Sequence, residues 1–169
     1  MGEILGRIGG GFVGLDIRCR TDHGSIAGRI GGALIGWDVH LQSTGGIITG
    51  RMGGALAGRD ISVQLFGKTL QGRIGGLVAG IDVQLEQPGD HIQGRCGGDV
   101  FGFSCNLQLI GSGRLEGRTG GDVLGKDVSL EFSPDVNPLV AALLACAAVY
   151  YQQLKSRNNS GGSSGGGSH

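Results

Sequence analysis

Apolar residues alternate with polar or glycine residues in short runs along most of the chain, and these runs recur at a fixed spacing. Each repeat reads G-R-φ-G-G, then three residues, then G-x-D-φ-x-φ, where φ is apolar in most copies. A period of two is typical of β-strands and excludes a helical face. The pattern therefore predicts six tandem repeats of about 22 residues. Their first glycines are Gly6, Gly28, Gly50, Gly72, Gly94 and Gly117.

Three apolar runs in each repeat predict three short strands that face the interior. The first run surrounds the first glycine, as at Leu70 and Ile74, and the third follows the aspartate, as at Val83 and Leu85. Stacked repeats would bury columns of equivalent side chains about 4.8 Å apart. We therefore predict an all-β fold, a β-solenoid (β-helix) of about six 22-residue coils over residues 1–136. The second run consists of Phe12, Leu34, Leu56, Val78, Val100 and Val123.

The composition agrees with a repeat that turns often. The chain has 38 Gly but only 3 Pro, and four glycines recur in every repeat. We expect these glycines where the chain turns with positive φ, or where the interior is too narrow for a Cβ. Fourteen Lys and Arg balance fourteen Asp and Glu, so the whole molecule has no net attraction for nucleic acid, and no specific nucleic acid binding is expected.

The repeats end at Ser133, and an apolar helix is predicted to follow them. Asn137 and Pro138 are typical of an N-cap and a first helical position, so we predict a helix over residues 137–158. We expect this helix to cap the open end of the solenoid; a partner-binding, self-associating or membrane-interfacial helix is the alternative. It is too short for a transmembrane segment. The Gly/Ser tail, residues 159–169, is expected to be disordered.

Arginine occupies the second position of all six repeats, and an acid occupies position 11 of most of them. In stacked coils the arginines would form an outward ladder, and a neighbouring acid ladder is expected to compensate its charge. A polyanion such as a phosphate, a glycan or an acidic protein could bind the arginine ladder. The arginines are Arg7, Arg29, Arg51, Arg73, Arg95 and Arg118. The acids are Asp16, Asp38, Asp60, Asp82 and Asp127, and Ser104 takes the remaining place.

Part of the repeat resembles two known families. Gly31-Gly32 followed by Gly36-x-Asp38-Val39 is similar to the calcium-binding nonapeptide β-roll repeat of secreted bacterial toxins. That resemblance implies calcium binding, but the family's spacing is shorter and it supplies two acids per calcium layer. The alternation of glycine and β-branched residues also resembles bactofilins, which implies filament formation.

Candidate catalytic and metal sites are not evident in the sequence. Departures from the repeat are few, chiefly Asp99, Ser104 and Asp122, and they do not combine an acid, a base and a nucleophile, so no enzyme is predicted. No Cys or His pair has metal-ligand spacing, and no metal or cofactor is expected. The cysteines replace apolar residues of the repeat or helix, which predicts buried thiols. They are Cys19, Cys96, Cys105 and Cys146.

These observations favour a non-enzymatic structural or scaffold protein. We expect a rigid rod that self-associates, through its N-terminal coil, or presents rows of side chains to a protein partner. The alternative is a binding module that uses the arginine row for a polyanion, and a calcium-binding β-roll is a third possibility. The first residues contain no apolar run of signal-peptide length, so an intracellular, cytoplasmic location is expected.

Overall fold

The computed structural model describes residues 1–10, 14–32, 34–97, 102–120 and 125–160. It shows a closed barrel of twelve antiparallel strands and one C-terminal helix. The helix is α1 (Pro138–Ser160). The strands are β1 (Gly2–Gly9), β2 (Gly14–Asp22), β3 (Ser25–Gly31), β4 (Gly36–Thr44), β5 (Ile47–Met52), β6 (Arg59–Phe66), β7 (Thr69–Gly75), β8 (Gly80–Glu86), β9 (His91–Cys96), β10 (Phe103–Ile110), β11 (Arg114–Thr119) and β12 (Lys126–Phe132).

The predicted β-solenoid is wrong, because each repeat forms one β-hairpin of two strands instead of a coil of three. Each strand pairs with its sequence neighbours, and β1 pairs with both β2 and β12, for example at Ile4↔Phe132. This last pairing closes the sheet, so that none of the twelve described strands has a free edge. Self-association through an exposed N-terminal coil therefore has no structural basis.

Alternation of side chains directs one face of each strand into the barrel. On β7, Leu70 and Ile74 are fully buried while Gln71 is exposed, and on β8 Val83 and Leu85 are buried while Gln84 is exposed. The first and third apolar runs thus supply the inner wall. A barrel of twelve strands is wider than the eight-stranded barrels that side chains alone can fill. Something else must therefore occupy its centre.

The C-terminal helix occupies the centre of the barrel. Residues 139–151 of α1 are all buried, and the helix contacts strands on both sides of the barrel, including β1, β7 and β10. A helix that is apolar all round must be buried all round. Its start follows the N-cap pattern, since Leu139 N donates to Asn137 Oδ1 at 2.9 Å. The helix is therefore the core of the barrel, and its predicted role as an external cap is wrong.

The two ends of the barrel differ. Connections from odd-numbered to even-numbered strands lie at one end, here called the loop end, while the other turns lie at the opposite end, here called the entry end. The helix starts at the entry end, where Ser133 N donates to Glu3 O at 3.0 Å. It finishes at the loop end, where Tyr151 lies 4.9 Å from Trp37, ring centroid to ring centroid.

The second apolar run was predicted to face inward, but its described members lie in connections at the loop end and are exposed. Leu34, Leu56 and Val78 belong to three such connections and are almost fully accessible to solvent. Glycines on both sides of each connection let the chain reverse within a few residues; Gly31 and Gly75 do so with φ values of 106° and 103°. Phe12, Val100 and Val123, the remaining members of this run, lie outside the described residues.

The first glycine of each repeat lies on the inward side of its strand, where the backbone of a neighbouring strand comes very close to it. A Cβ on Gly72 would overlap Ser62 O and Val63 Cα of β6 and would lie 2.9 Å from Val63 Cγ1. Backbone clashes of the same kind occur at Gly28, Gly50, Gly94 and Gly117. Glycine is thus needed at these positions, where the backbone of the neighbouring strand leaves no room for a Cβ.

Candidate functional site

The six repeat arginines form a belt around the barrel instead of a stacked ladder. Each lies on an odd-numbered strand, directly opposite position 11 on the next strand, as in Arg29↔Asp38. Consecutive arginines are therefore two strands apart, or about 10 Å, and the intervening strand carries an aspartate except between Arg95 and Arg118, where it carries Ser104. The N–O distances are 2.7 Å for Arg7–Asp16, 2.6 Å for Arg29–Asp38, 2.7 Å for Arg51–Asp60, 2.7 Å for Arg73–Asp82 and 3.2 Å for Arg118–Asp127, and Arg95 Nη1 donates to Ser104 Oγ at 3.3 Å.

The arginines also hold the connections at the loop end. Arg29 Nε donates to Gly32 O at 3.0 Å, and Arg73 Nε donates to Gly76 O at 2.8 Å. Arg51 Nη2 donates to two carbonyl oxygens of its connection, those of Gly54 and Ala55, at 2.9 and 3.0 Å. These contacts fix the loop backbone to the barrel wall. Because most arginines also face an aspartate, the belt has little net charge, and its use for a polyanion stays a prediction.

The exposed apolar side chains of three consecutive connections form a surface that we call the apolar crown. Its members lie between β3 and β4, between β5 and β6, and between β7 and β8. They are Leu34, Ile35, Leu56, Leu77 and Val78. Four are at least 96% exposed, and Ile35 is 64% exposed. Single exposed apolar residues are ordinary, but a group on adjacent protruding loops is typical of an interaction surface.

Basic residues at the end of α1 lie at the same end of the barrel as the apolar crown. Lys155 Nζ lies 5.5 Å from the ring centroid of Tyr151, and that ring packs against Trp37 on β4. Arg157, half a turn further along the helix, is exposed. Near the crown, Arg59 donates to the carbonyl oxygens of Ala57 and Gly58. Cationic side chains therefore lie beside the apolar crown.

Other predicted features give no further site. Asp99 and Asp122, considered as departures from the repeat, lie outside the described residues. Within the described part of the chain, no group of three His, Cys, Asp or Glu side chains is arranged to hold a metal ion. None of the described helices is long and apolar enough to cross a membrane.

All four cysteines are free thiols inside the barrel. Hydrogen bonding to Cys105 and Cys96, together with burial, raises the pKa of the Cys146 thiol well above its ordinary value. Burial likewise raises the pKa of Cys19 to about 11, although a hydrogen bond with the Arg29 backbone opposes the increase. Thiols with raised pKa values are poor nucleophiles, because the thiolate is the reactive form.

Stability is expected to fall in alkali partly because of Cys19. The unfolded thiol ionises near pH 9, whereas the folded thiol keeps its proton up to about pH 11. The stabilisation is therefore complete below pH 9 and is lost as the pH rises towards 11. Urea unfolding of the wild type and of Cys19→Val, measured from pH 8 to pH 11, should show a shallower decline for the variant. Parallel declines would contradict a role for this thiol.

Comparison of the chain with protein-family models, with curated proteins and with solved structures finds no match.

Proposed function

We propose that the protein is a non-enzymatic scaffold module that docks through the apolar crown. The observation that carries this proposal is the near-complete exposure of Leu34, Leu56, Leu77 and Val78 on adjacent loops. Fully burying one such side chain contributes about 1.5–3 kcal/mol. Several buried together can offset the loss of translational and rotational freedom on association.

The barrel supports this role because it holds the loops rigidly. The helix fills the interior, and residues 139–151 are all buried. Arg29, Arg51 and Arg73 fix the three crown loops to the wall by hydrogen bonds to loop carbonyls. A surface that is ordered before binding loses less conformational entropy on docking. The four free thiols suit a reducing, intracellular location, which we include in the proposal.

The proposal predicts that the crown associates with apolar surfaces in general. Sedimentation velocity of the wild type, with and without non-ionic detergent micelles, should show micelle binding or concentration-dependent self-association. The triple variant Leu34→Asn/Leu56→Asn/Leu77→Asn should remain a monomer under both conditions and should not bind micelles. Its circular dichroism and melting temperature should match those of the wild type, because the three side chains are exposed. A wild type that behaves like the variant under every condition would overturn the docking function.

A further inference from the structure

We infer that the apolar crown docks on an anionic lipid bilayer surface, with Lys155 and Arg157 facing the headgroups; this inference rests on the proposed docking function. Two independent observations support it. The crown consists of apolar side chains on protruding loops, and the helix that fills the barrel brings its basic end to the same place.

The shape of the crown favours a fluid partner. Leu34, Leu56 and Leu77 are each 96–101% exposed, so they make almost no contact with each other or with the barrel. A protein partner would need a separate pocket for each tip, in a fixed arrangement. The hydrocarbon boundary of a bilayer can receive each tip separately, and interfacial apolar groups enter it by about 5–10 Å. Loops of a few residues can reach that depth.

The local charge favours anionic lipid. In the belt beneath the crown, Arg29, Arg51 and Arg73 are each paired with an aspartate. The basic groups Lys155 and Arg157 add positive charge at the end of α1. A basic residue near an anionic membrane surface contributes about 1 kcal/mol of binding, which is about a fivefold change in affinity.

The same charge argues against a second copy as the occupant. Two barrels docked crown to crown around a two-fold axis would bring their helix ends, and hence both Lys155 side chains, towards each other. Like charges that meet in an interface weaken it. An anionic surface meets the apolar tips and the cations together without that repulsion.

Vesicle flotation tests the inference directly. Vesicles of phosphatidylcholine alone are compared with vesicles in which part of the phosphatidylcholine is replaced by phosphatidylserine. The wild type should bind the anionic vesicles more tightly, and the difference should shrink as salt is added. Leu34→Asn/Leu56→Asn/Leu77→Asn should weaken binding by more than about a hundredfold. Lys155→Gln/Arg157→Gln should weaken binding to anionic vesicles by about twenty-five-fold and leave binding to neutral vesicles unchanged.

The chain offers a fluorescent reporter and a control residue for this experiment. Trp37 is the single tryptophan and lies next to the crown, so its emission should shift to shorter wavelength when vesicles bind. Phe66 is an apolar residue at the entry end and is 81% exposed, so Phe66→Asn is a matched control that should bind like the wild type.

Equal binding to neutral and anionic vesicles, or unchanged binding of the crown variant, would overturn the inference. The inference would also be overturned if the wild type did not bind vesicles but formed a dimer that the crown substitutions abolish. In that last case the crown would still associate, so the proposed docking function would stand. A wild type that binds neither vesicles nor micelles and remains monomeric would overturn both.

Discussion

Replacement of Leu143 by aspartate is expected to prevent the barrel from folding. Leu143 lies in the second turn of α1 and is completely buried inside the barrel. Removing its side chain down to alanine should cost about 2–5 kcal/mol, and an unpaired carboxylate there should cost considerably more. Domains of this size are stable by only about 5–15 kcal/mol. Far-UV circular dichroism of Leu143→Asp should therefore show no cooperative thermal transition.

The matched control for this substitution is Leu56→Asp. Leu56 lies at the tip of a loop and is fully exposed, so the same chemical change should alter stability by no more than about 0.5 kcal/mol. If Leu143→Asp melted cooperatively near the wild-type temperature, the helix would not be the core of the barrel. Loss of folding in both variants would point to a general effect of the added charge instead.

Replacement of Gly72 by alanine is expected to destabilise the barrel by at least about 1–3 kcal/mol. The added methyl group would overlap Ser62 O and Val63 Cα. These atoms belong to backbone that is paired on both sides, since Val63 faces Gly72 on β7 and Ile48 on β5. The wall therefore cannot move aside without breaking its ladder of hydrogen bonds. Urea unfolding should show a large decrease in the transition midpoint.

Gly54→Ala is the control for the glycine substitution. A Cβ on Gly54 would have no atom within 4 Å, and Gly54 does not have a positive φ. Alanine there should leave stability unchanged or increase it by about 0.4–1 kcal/mol, because it restricts the unfolded chain. Equal effects of the two substitutions would show that Gly72 is not at a close approach of two strands.

The sequence predicted strands, their inward faces and a C-terminal helix, but not how the strands pair. Alternation determines which side chains share a face, and it says nothing about which strand lies alongside. The same 22-residue pattern is compatible with one coil of a solenoid and with one hairpin of a barrel, because both place equivalent side chains of successive repeats side by side. The second apolar run is where the prediction fails, because alternation places Leu34 and Leu56 in a strand, whereas the glycines on both sides favour a tight connection.

Two signals in the sequence pointed towards the barrel. The helix is apolar on every face from Leu139 to Tyr151, which indicates burial on all sides; a cap would need only one apolar face. The arginine and the aspartate of each repeat are nine residues apart, and this separation places them opposite each other across a hairpin, as in Arg73↔Asp82. The apolar crown is not evident from the sequence, because the pattern predicts that its residues face the interior.

The order of elements along the chain has a consequence for how the protein is made. All twelve strands precede the helix in the sequence, and the first strand pairs with the last. A growing chain therefore lacks both the core and the partner that seals its first edge until β12 and α1 have been made. Contacts between such distant segments form slowly, and unsealed strands aggregate readily. We therefore expect insertion of the helix and pairing of β1 with β12 to depend on each other and to come late in folding.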